Sequence, residues 1–344
     1  MAKATIDDVA KLAGVSIKTV SRVVNREQNV RESTRERVQK AITQLSYRPN
    51  LSARNLASQR SHLIVLVYDD PSAYEIPSGG FIIRMQQGVL RACAAADYEL
   101  LIHPCNYRNR NAGDKLHVLI DQVRPDGIVL AAPLSNMPKI VNAIKAKGTP
   151  LVRMSPGGVN GEQYTVVTND REICAETTRY LVSLGHQRIA FVTGHRSHKA
   201  IKYRFLGYKD GLEQSGLPFS KDLVCAGDNS FGSGETCGDS LLSLDTPPTA
   251  VFTANDDMAA GVMRAADRRG VDIPGQLSVV GFDDISLARQ IYPSLTTIRQ
   301  PLSKMAERAA HALINDPGDG SKLKGTDVVP SKLMIRESTG PAPG

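Results

Sequence analysis

In the segment 5–25, TIDDVAKLAGVSIKTVSRVVN, Ile17, Lys18, Ser21 and Arg22 share the side of a short helical pattern that faces away from Val20, Val23 and Val24. The chemistry of such a face is non-covalent. An ammonium and a guanidinium one helical turn apart donate hydrogen bonds to anionic or carbonyl acceptors. The location of the charge indicates which acceptors. The net charge is +7, and residues 1–60 hold 12 Lys/Arg against 5 Asp/Glu, which leaves 30 basic and 30 acidic groups on the other 284 residues. A small basic head on a neutral body is the electrostatic footprint of phosphate binding. A merely solvated tail would be of low complexity, whereas this segment is apolar-periodic throughout.

The body offers no comparable constellation for covalent chemistry. It has no nucleotide fingerprint and no assignable nucleophile–base pair, so we expect no enzyme activity, no catalytic residue and no cofactor. His195 and His198 in GHRSH lack a third ligand nearby, so no metal is expected. FGSGETCG (231–238) is glycine-rich, but it follows no convincing strand and lacks the Lys of a phosphate loop; it reads as a surface turn. Five scattered cysteines, Cys93, Cys105, Cys174, Cys225 and Cys237, fit reduced thiols in a cytoplasm. With no run of 18 apolar residues and no apolar core at MAKATIDD, neither a membrane span nor a signal peptide is expected. That weighs against an exported solute-binding protein, the main alternative to a DNA-binding function.

The elements that position these residues follow from periodicity. Ile6, Val9, Ala10 and Ala13 repeat at 0, 3, 4, 7. Thr5 and Asp8 form a capping box, Gly14 ends the helix and Ser16 caps the next. The three-residue connection suits a helix-turn-helix. A third helix carries Val38, Ala41, Ile42 and Leu45 and stops before Pro49. From 63 onward, apolar strands (63–68, 99–103, 127–131, 150–154, 188–194, 250–254, 278–282) alternate with helical windows (82–96, 137–147, 172–184, 203–215, 257–269, 303–314). Such alternation predicts two doubly wound, parallel-sheet lobes covered on both faces.

The segment 5–25, with TRERVQKAI, YRPN and SARNLAS after it, resembles the lactose/galactose repressor family of bacterial transcription factors. LVSLGHQRIAFVTG, FTANDDMAAGVMRAADRRG, SVVGFDDISLA and PSLTTIRQP extend the resemblance over nearly the whole chain, into a periplasmic-binding-protein-like core. One departure is Arg31, where the family has Ser or Thr near the start of helix three, which leaves the cap to Glu32 or Ser33. The resemblance implies a headpiece (1–50), a hinge (51–61) and an effector-binding, dimerising core (62–338). Lobe one would be about 62–163 and 298–325, lobe two about 164–297 and 326–338, with a disordered tail at 339–344.

It also implies roles. Ile17, Lys18 and Arg22 match base-reading positions in the major groove, where Arg22 can grip guanine O6 and N7. Thr5, Ser16, Thr19, Ser21, Asn25 and Tyr47 would contact phosphates. Ser52, Ala53, Asn55 and Leu56 would form a hinge helix in the minor groove of a pseudo-palindromic operator, with Leu56 wedged into the central step. Phe81, Arg204, Asn255 and Asp283 match effector-binding positions, and Tyr74, His198 and Asn229 are further candidates. Asp256 and Asp284 read as helix caps. Arg153 should point into the cleft. Either it and Arg204 await an anionic group on a sugar-derived effector, or Arg153 pairs with Asp283 or Asp69 and a neutral sugar suffices. The expected whole is a cytoplasmic, homodimeric, effector-controlled repressor of carbohydrate-utilisation genes.

Overall fold

The computed structural model describes residues 4–24, 29–47, 60–69, 79–106, 109–158 and 163–344. Two compact units result, 1–61 and 62–344. Asn25, Ser52, Ala53, Asn55, Leu56 and Tyr74 lie outside the described residues.

The first unit holds α1 (Ile6–Ala13), α2 (Ile17–Val24) and α3 (Glu32–Gln44). The Thr5–Asp8 capping box is present, and Gly14 closes α1 with φ +64°, a left-handed turn that costs glycine little. Ser16 caps α2: its hydroxyl accepts from the Thr19 amide at 3.2 Å. Val9, Ala10, Ala13, Val20, Val23, Val38 and Ala41 are buried together as a mini-core. Helix α3 begins after Arg31 with no side-chain cap at all.

The second unit begins with β1 (Leu63–Asp69), α4 (Gly79–Ala95), β2 (Glu99–Cys105), α5 (Ala112–Val123), β3 (Gly127–Leu130), α6 (Pro138–Ala146), β4 (Leu151–Met154) and β5 (Thr165–Val167). It continues with α7 (Asp170–Ser183), β6 (Ile189–Thr193), α8 (Ala200–Gln214), β7 (Val224–Ala226), α9 (Phe231–Leu242), β8 (Ala250–Thr253) and α10 (Asp256–Arg268). Last come β9 (Ser278–Asp283), α11 (Leu287–Gln290), β10 (Thr296–Arg299), α12 (Leu302–Ile314), β11 (Thr326–Val328) and β12 (Lys332–Met334). They form two sheets, in the orders β11-β5-β4-β3-β1-β2 and β12-β10-β9-β8-β6-β7. Every pairing is parallel except β10 with β12.

Strand β1 shows why its sequence is apolar without alternation. Ile64 and Leu66 enter one core with Met85 and Val89 of α4 and Met305 of α12, while Val65 and Val67 enter another with Leu116 of α5 and Ile144 of α6. Both faces are dry, so both phases of the two-residue period must be apolar. The second sheet carries its own core, centred on Phe191, Tyr208 and Phe252.

The structure corrects several expectations. The residues 231–238 are not a surface turn but the start of α9, and they follow strand β7. Their glycines permit close helix packing: a Cβ on Gly234 would meet Met258 of α10, and one on Gly238 would meet Ala265. Cys225 and Cys237 are joined by a disulfide rather than reduced, because β7 and α9 fold back across a short loop and bring their Cα atoms to 5.7 Å. Cys93, Cys105 and Cys174 are buried and take no part in a disulfide.

The tail is docked rather than disordered. Ala342 N donates to Leu184 O at 2.8 Å, and the buried His186 ring lies 3.1 Å from Gly340 O. The lobe boundaries also move. Strands β5 and β11 belong to the first sheet and β10 to the second, so the chain passes between lobes just after 167, 299 and 328. Among the described residues, no helix is long and apolar enough to cross a membrane.

Candidate functional site

Two regions assemble the candidate residues. On α2, Val20 and Val23 are buried, which turns Ile17 and Lys18 outward on the opposite face. Ile17 is 47% exposed, unusual for an isoleucine beside a core, and Arg22 follows Lys18 by one turn. Ser16 and Thr19 share a hydroxyl–hydroxyl hydrogen bond of 2.9 Å, and the Thr5 hydroxyl donates to Asp8 Oδ2 at 2.7 Å. These three side chains brace the helix starts whether or not they also meet a phosphate. Tyr47 packs partly into the mini-core, and burial pushes its phenol pKa up.

The second region is a cleft of about 120 Å³ in the core unit. Its walls share a topological rule: the lining residues cluster at the carboxyl ends of strands in both sheets. Tyr68 and Asp69 end β1, Ser155 follows β4, Asn229 follows β7, Asn255 follows β8, Asp283 ends β9 and Gln300 follows β10. That is where doubly wound sheets hold ligands, because the loops leave in opposite directions and open a crevice.

Arg204 of α8 is the centre of the floor. It is buried, its Nε donates to Asp170 Oδ2 at 3.3 Å, and its Nη1 donates to Ala254 O at 2.5 Å. The guanidinium lies 4.0 Å from Asp283 Oδ1 and 3.6 Å above the Phe282 ring. Two carboxylates therefore match its charge before any ligand arrives. Asp283 also accepts from Gln300 Nε2 and sits at φ +115°, a conformation that a non-glycine residue rarely adopts and that marks a constrained site. Burial pushes its carboxyl up to about 6, against the opposing pull of Arg204. Burial pulls His198 down to about 4, helped by Arg204 and His195, so its imidazole is neutral at neutral pH.

Of the expected effector residues, Phe81, His198, Arg204, Asn229, Asn255 and Asp283 come together in this cleft. Arg153 does not. Its Nε donates to Ser135 O at 2.8 Å and its Nη1 to Gln163 at 3.1 Å, and it pairs with neither Asp283 nor Asp69. Ser155, two residues on, takes the place in the wall. The expected pair of arginines awaiting an anion is therefore absent.

The capping roles shift as well. Asn255, not Asp256, caps α10: its Oδ1 accepts from Met258 N at 3.0 Å while its Nδ2 donates to Asn229 O at 2.9 Å. Asp256 is fully buried and accepts from Ile285 N at 2.8 Å and from the Thr297 hydroxyl. Asp284 is likewise no cap. It is a buried hub that accepts from Arg299 and Arg336 at 2.5 Å each and from Arg289 at 3.3 Å. These guanidinium contacts offset its burial and leave its pKa lowered. Its carbonyl accepts from Arg84 of α4 at 2.5 Å, a link between the lobes.

Sequence reasoning missed Asp257, Gln300 and Tyr68 as lining residues. Tyr68 lies at the end of β1 and Gln300 follows β10, so for these two the strand end was the available signal; Asp257 stands in the first turn of α10, where only tertiary context places it. Among the described residues, no group of three or more His, Cys, Asp or Glu could hold a metal ion.

Comparison with known proteins agrees with this geometry. Residues 5–50 match the family model described as bacterial regulatory proteins, lacI family, and 178–339 match a periplasmic binding protein-like domain. The chain is 32% identical to a probable HTH-type transcriptional repressor, ExuR, of Bacillus subtilis, over 97% of this chain and 98% of that one. Among solved structures, the lac repressor dimer bound to operator and an anti-inducer is 26% identical with a TM-score of 0.78, covering 98% of this chain and 100% of that one. A complex of the transcriptional regulator CelR with cellobiose is 28% identical with a TM-score of 0.75, covering 97% and 99%. With an outward-facing basic helix at one end, a two-sheet cleft in the body and a repressor matched along its whole length, the chain belongs to the lacI family of bacterial regulatory proteins and is a DNA-binding transcriptional regulator rather than an enzyme.

Proposed function

We propose that the chain is a homodimeric repressor whose grip on a pseudo-palindromic operator is set by a polyhydroxylated, non-anionic effector in the cleft. The observation that carries this reading is Arg204, whose charge Asp170 and Asp283 already match on a floor with no other arginine or lysine among its described lining residues. A carboxylate or phosphate on the ligand would meet surplus acid there. Hydroxyls suit the side chains of Asn229, Asn255 and Asp283, and aromatic rings of Phe81 and Tyr68 suit the apolar face of a sugar ring.

Ile17, Lys18 and Arg22 are the base readers in this proposal, and Ser16, Thr19, Ser21 and Tyr47 the phosphate contacts. The pairing of two copies is supported by exposed apolar side chains on lobe one, Ile83 and Leu90 two turns apart on α4, and Ile102 on the edge strand β2. A repressor of this kind works in the cytoplasm, beside its DNA.

The test starts from DNA. Selection from random duplexes should enrich a palindrome, and fluorescence anisotropy on that duplex should then respond at least about 10-fold to one member of a panel of sugars. Loss of that response in Arg204→Ala, with operator binding intact, is the expected result. A pool without a palindrome, or a response that survives Arg204→Ala, overturns the reading.

A further inference from the structure

We propose that the effector carries a protonated amine, an amino sugar rather than a plain sugar, and that Asp257 is the residue that selects it. This rests on the cleft being the effector site. Asp257 stands on the first turn of α10, lines the cleft and has no hydrogen-bond or ion-pair partner among the described residues. Its neighbour Asp256 is fully engaged below the floor by Thr297 and Ile285, and Asn255 is engaged as the helix cap. Asp257 is thus the one member of the TANDD segment that faces the ligand with its carboxylate unmatched.

The surrounding charges sharpen the point. Asp257 lies close enough to Asp283 for its negative charge to raise the pKa of Asp283 further. Arg204, the cation on this floor, is shared between Asp170 and Asp283. His198 is neutral there, and Asp69 faces the cleft from the first lobe. Burial alone raises the carboxyl of Asp257.

A closed cleft makes two neighbouring carboxylates expensive. A neutral sugar would leave that repulsion in place, so one carboxylate would have to take up a proton as water is expelled. A uronate would add a third negative charge. An ammonium placed against Asp257 lets both carboxylates ionise and provides the charge-assisted hydrogen bond that the site otherwise lacks. The two ligand types therefore differ in the sign of proton exchange. At pH 6, close to the value of about 6 for Asp283, an amine should release protons on binding and a neutral sugar should take them up.

The experiment uses the full-length protein and matched series of glucose, galactose and mannose, each as hexose, 2-amino sugar, N-acetyl amino sugar and uronate. Binding is read by calorimetry at pH 6 in two buffers of different ionisation enthalpy. One amino sugar should bind at least 10-fold tighter than its hexose, N-acetyl and uronate counterparts, with net proton release. The isosteric Asp257→Asn variant should bring that ratio close to one while keeping the native melting transition.

Equal or tighter binding of a hexose or uronate, proton uptake with the amine, or a ratio unchanged in Asp257→Asn overturns the amine while leaving the cleft reading in place. If no series member binds, the amine proposal falls, and the response to Arg204→Ala judges the cleft separately.

Discussion

The outward face of α2 and the floor of the cleft both present charge to a proposed partner, yet they are built on opposite principles. On α2 the cations stand at the surface on a scaffold held by Val20 and Val23. In the cleft the cation is buried and already matched, as Arg204 is by Asp170 and Asp283. A solvated cation gains from displacing counterions and is screened by salt. A buried one is insulated from salt but tied to every proton and partner around it. Under the proposed function, one protein thus carries a salt-sensitive reader and a proton-sensitive sensor.

The largest expected effect separates the two directly. Raising salt from about 50 to about 200 mM should weaken operator binding on the order of 10³-fold, whereas effector binding should change less than about 3-fold. Anisotropy and calorimetry across that range check it, and equal salt slopes would break the contrast. Next in size is Arg204→Ala. Its removal strands Asp170 and Asp283 in a buried floor, and unfolding experiments should record a loss of roughly 3–5 kcal/mol. Removing the exposed Lys18 from α2 should cost the fold almost nothing. Arg22→Ala should instead lose about 1–3 kcal/mol on the specific operator and relax one base position per half-site, with random DNA affected far less; a uniform loss on all DNA would make Arg22 a phosphate contact.

The smallest effect is a pH dependence. Asp283 titrates at about 6 in the fold, above the usual carboxylate range. The protonated form is therefore the one that the fold prefers, and stability is lost as pH rises from about 4 through 6. Asp283→Asn, which cannot ionise, should melt at higher temperature than the parent at pH 7.5, by on the order of 1–2 kcal/mol in stability, and the gap should close near pH 4.5. A gap that widens on acidification would mean that Arg204 dominates over burial.

What was legible in the sequence follows the same division. Long apolar strands such as β1 and β6 announce themselves because both phases of the period are apolar. The three-residue β5, β7, β11 and β12 do not, since three residues carry no period and their pairing depends on the rest of the sheet. The headpiece was legible almost residue by residue, because its signals are local: Thr5 with Asp8, Gly14, and Ser16 with Thr19.

The cleft was legible only in part. The strand-end positions of Asn255 and Asp283 were readable. Their partners were not, because Gln300 and Arg204, which meet Asp283, and Asn229, whose carbonyl meets Asn255, arrive from distant segments. Arg153 misled for the same reason. Nothing near it in sequence shows that the turn at Leu134–Asn136 passes its guanidinium and offers the Ser135 carbonyl. In both acid pairs, Asp256–Asp257 and Asp283–Asp284, one member turns inward to the framework and the other lines the cleft, and only tertiary context says which.

The chain's three passages between the lobes, just after 167, 299 and 328, bear on how such a regulator can be rewired. Neither lobe is encoded by an uninterrupted stretch, so no single genetic exchange can transplant one lobe and leave the other. The first unit, by contrast, is one continuous segment ending at 61. A single junction there would give the whole sensor a new address on DNA. Changes in what the sensor detects must instead accumulate one side chain at a time around residues such as Asp257 and Arg204. Addresses can be swapped whole, and tastes must drift.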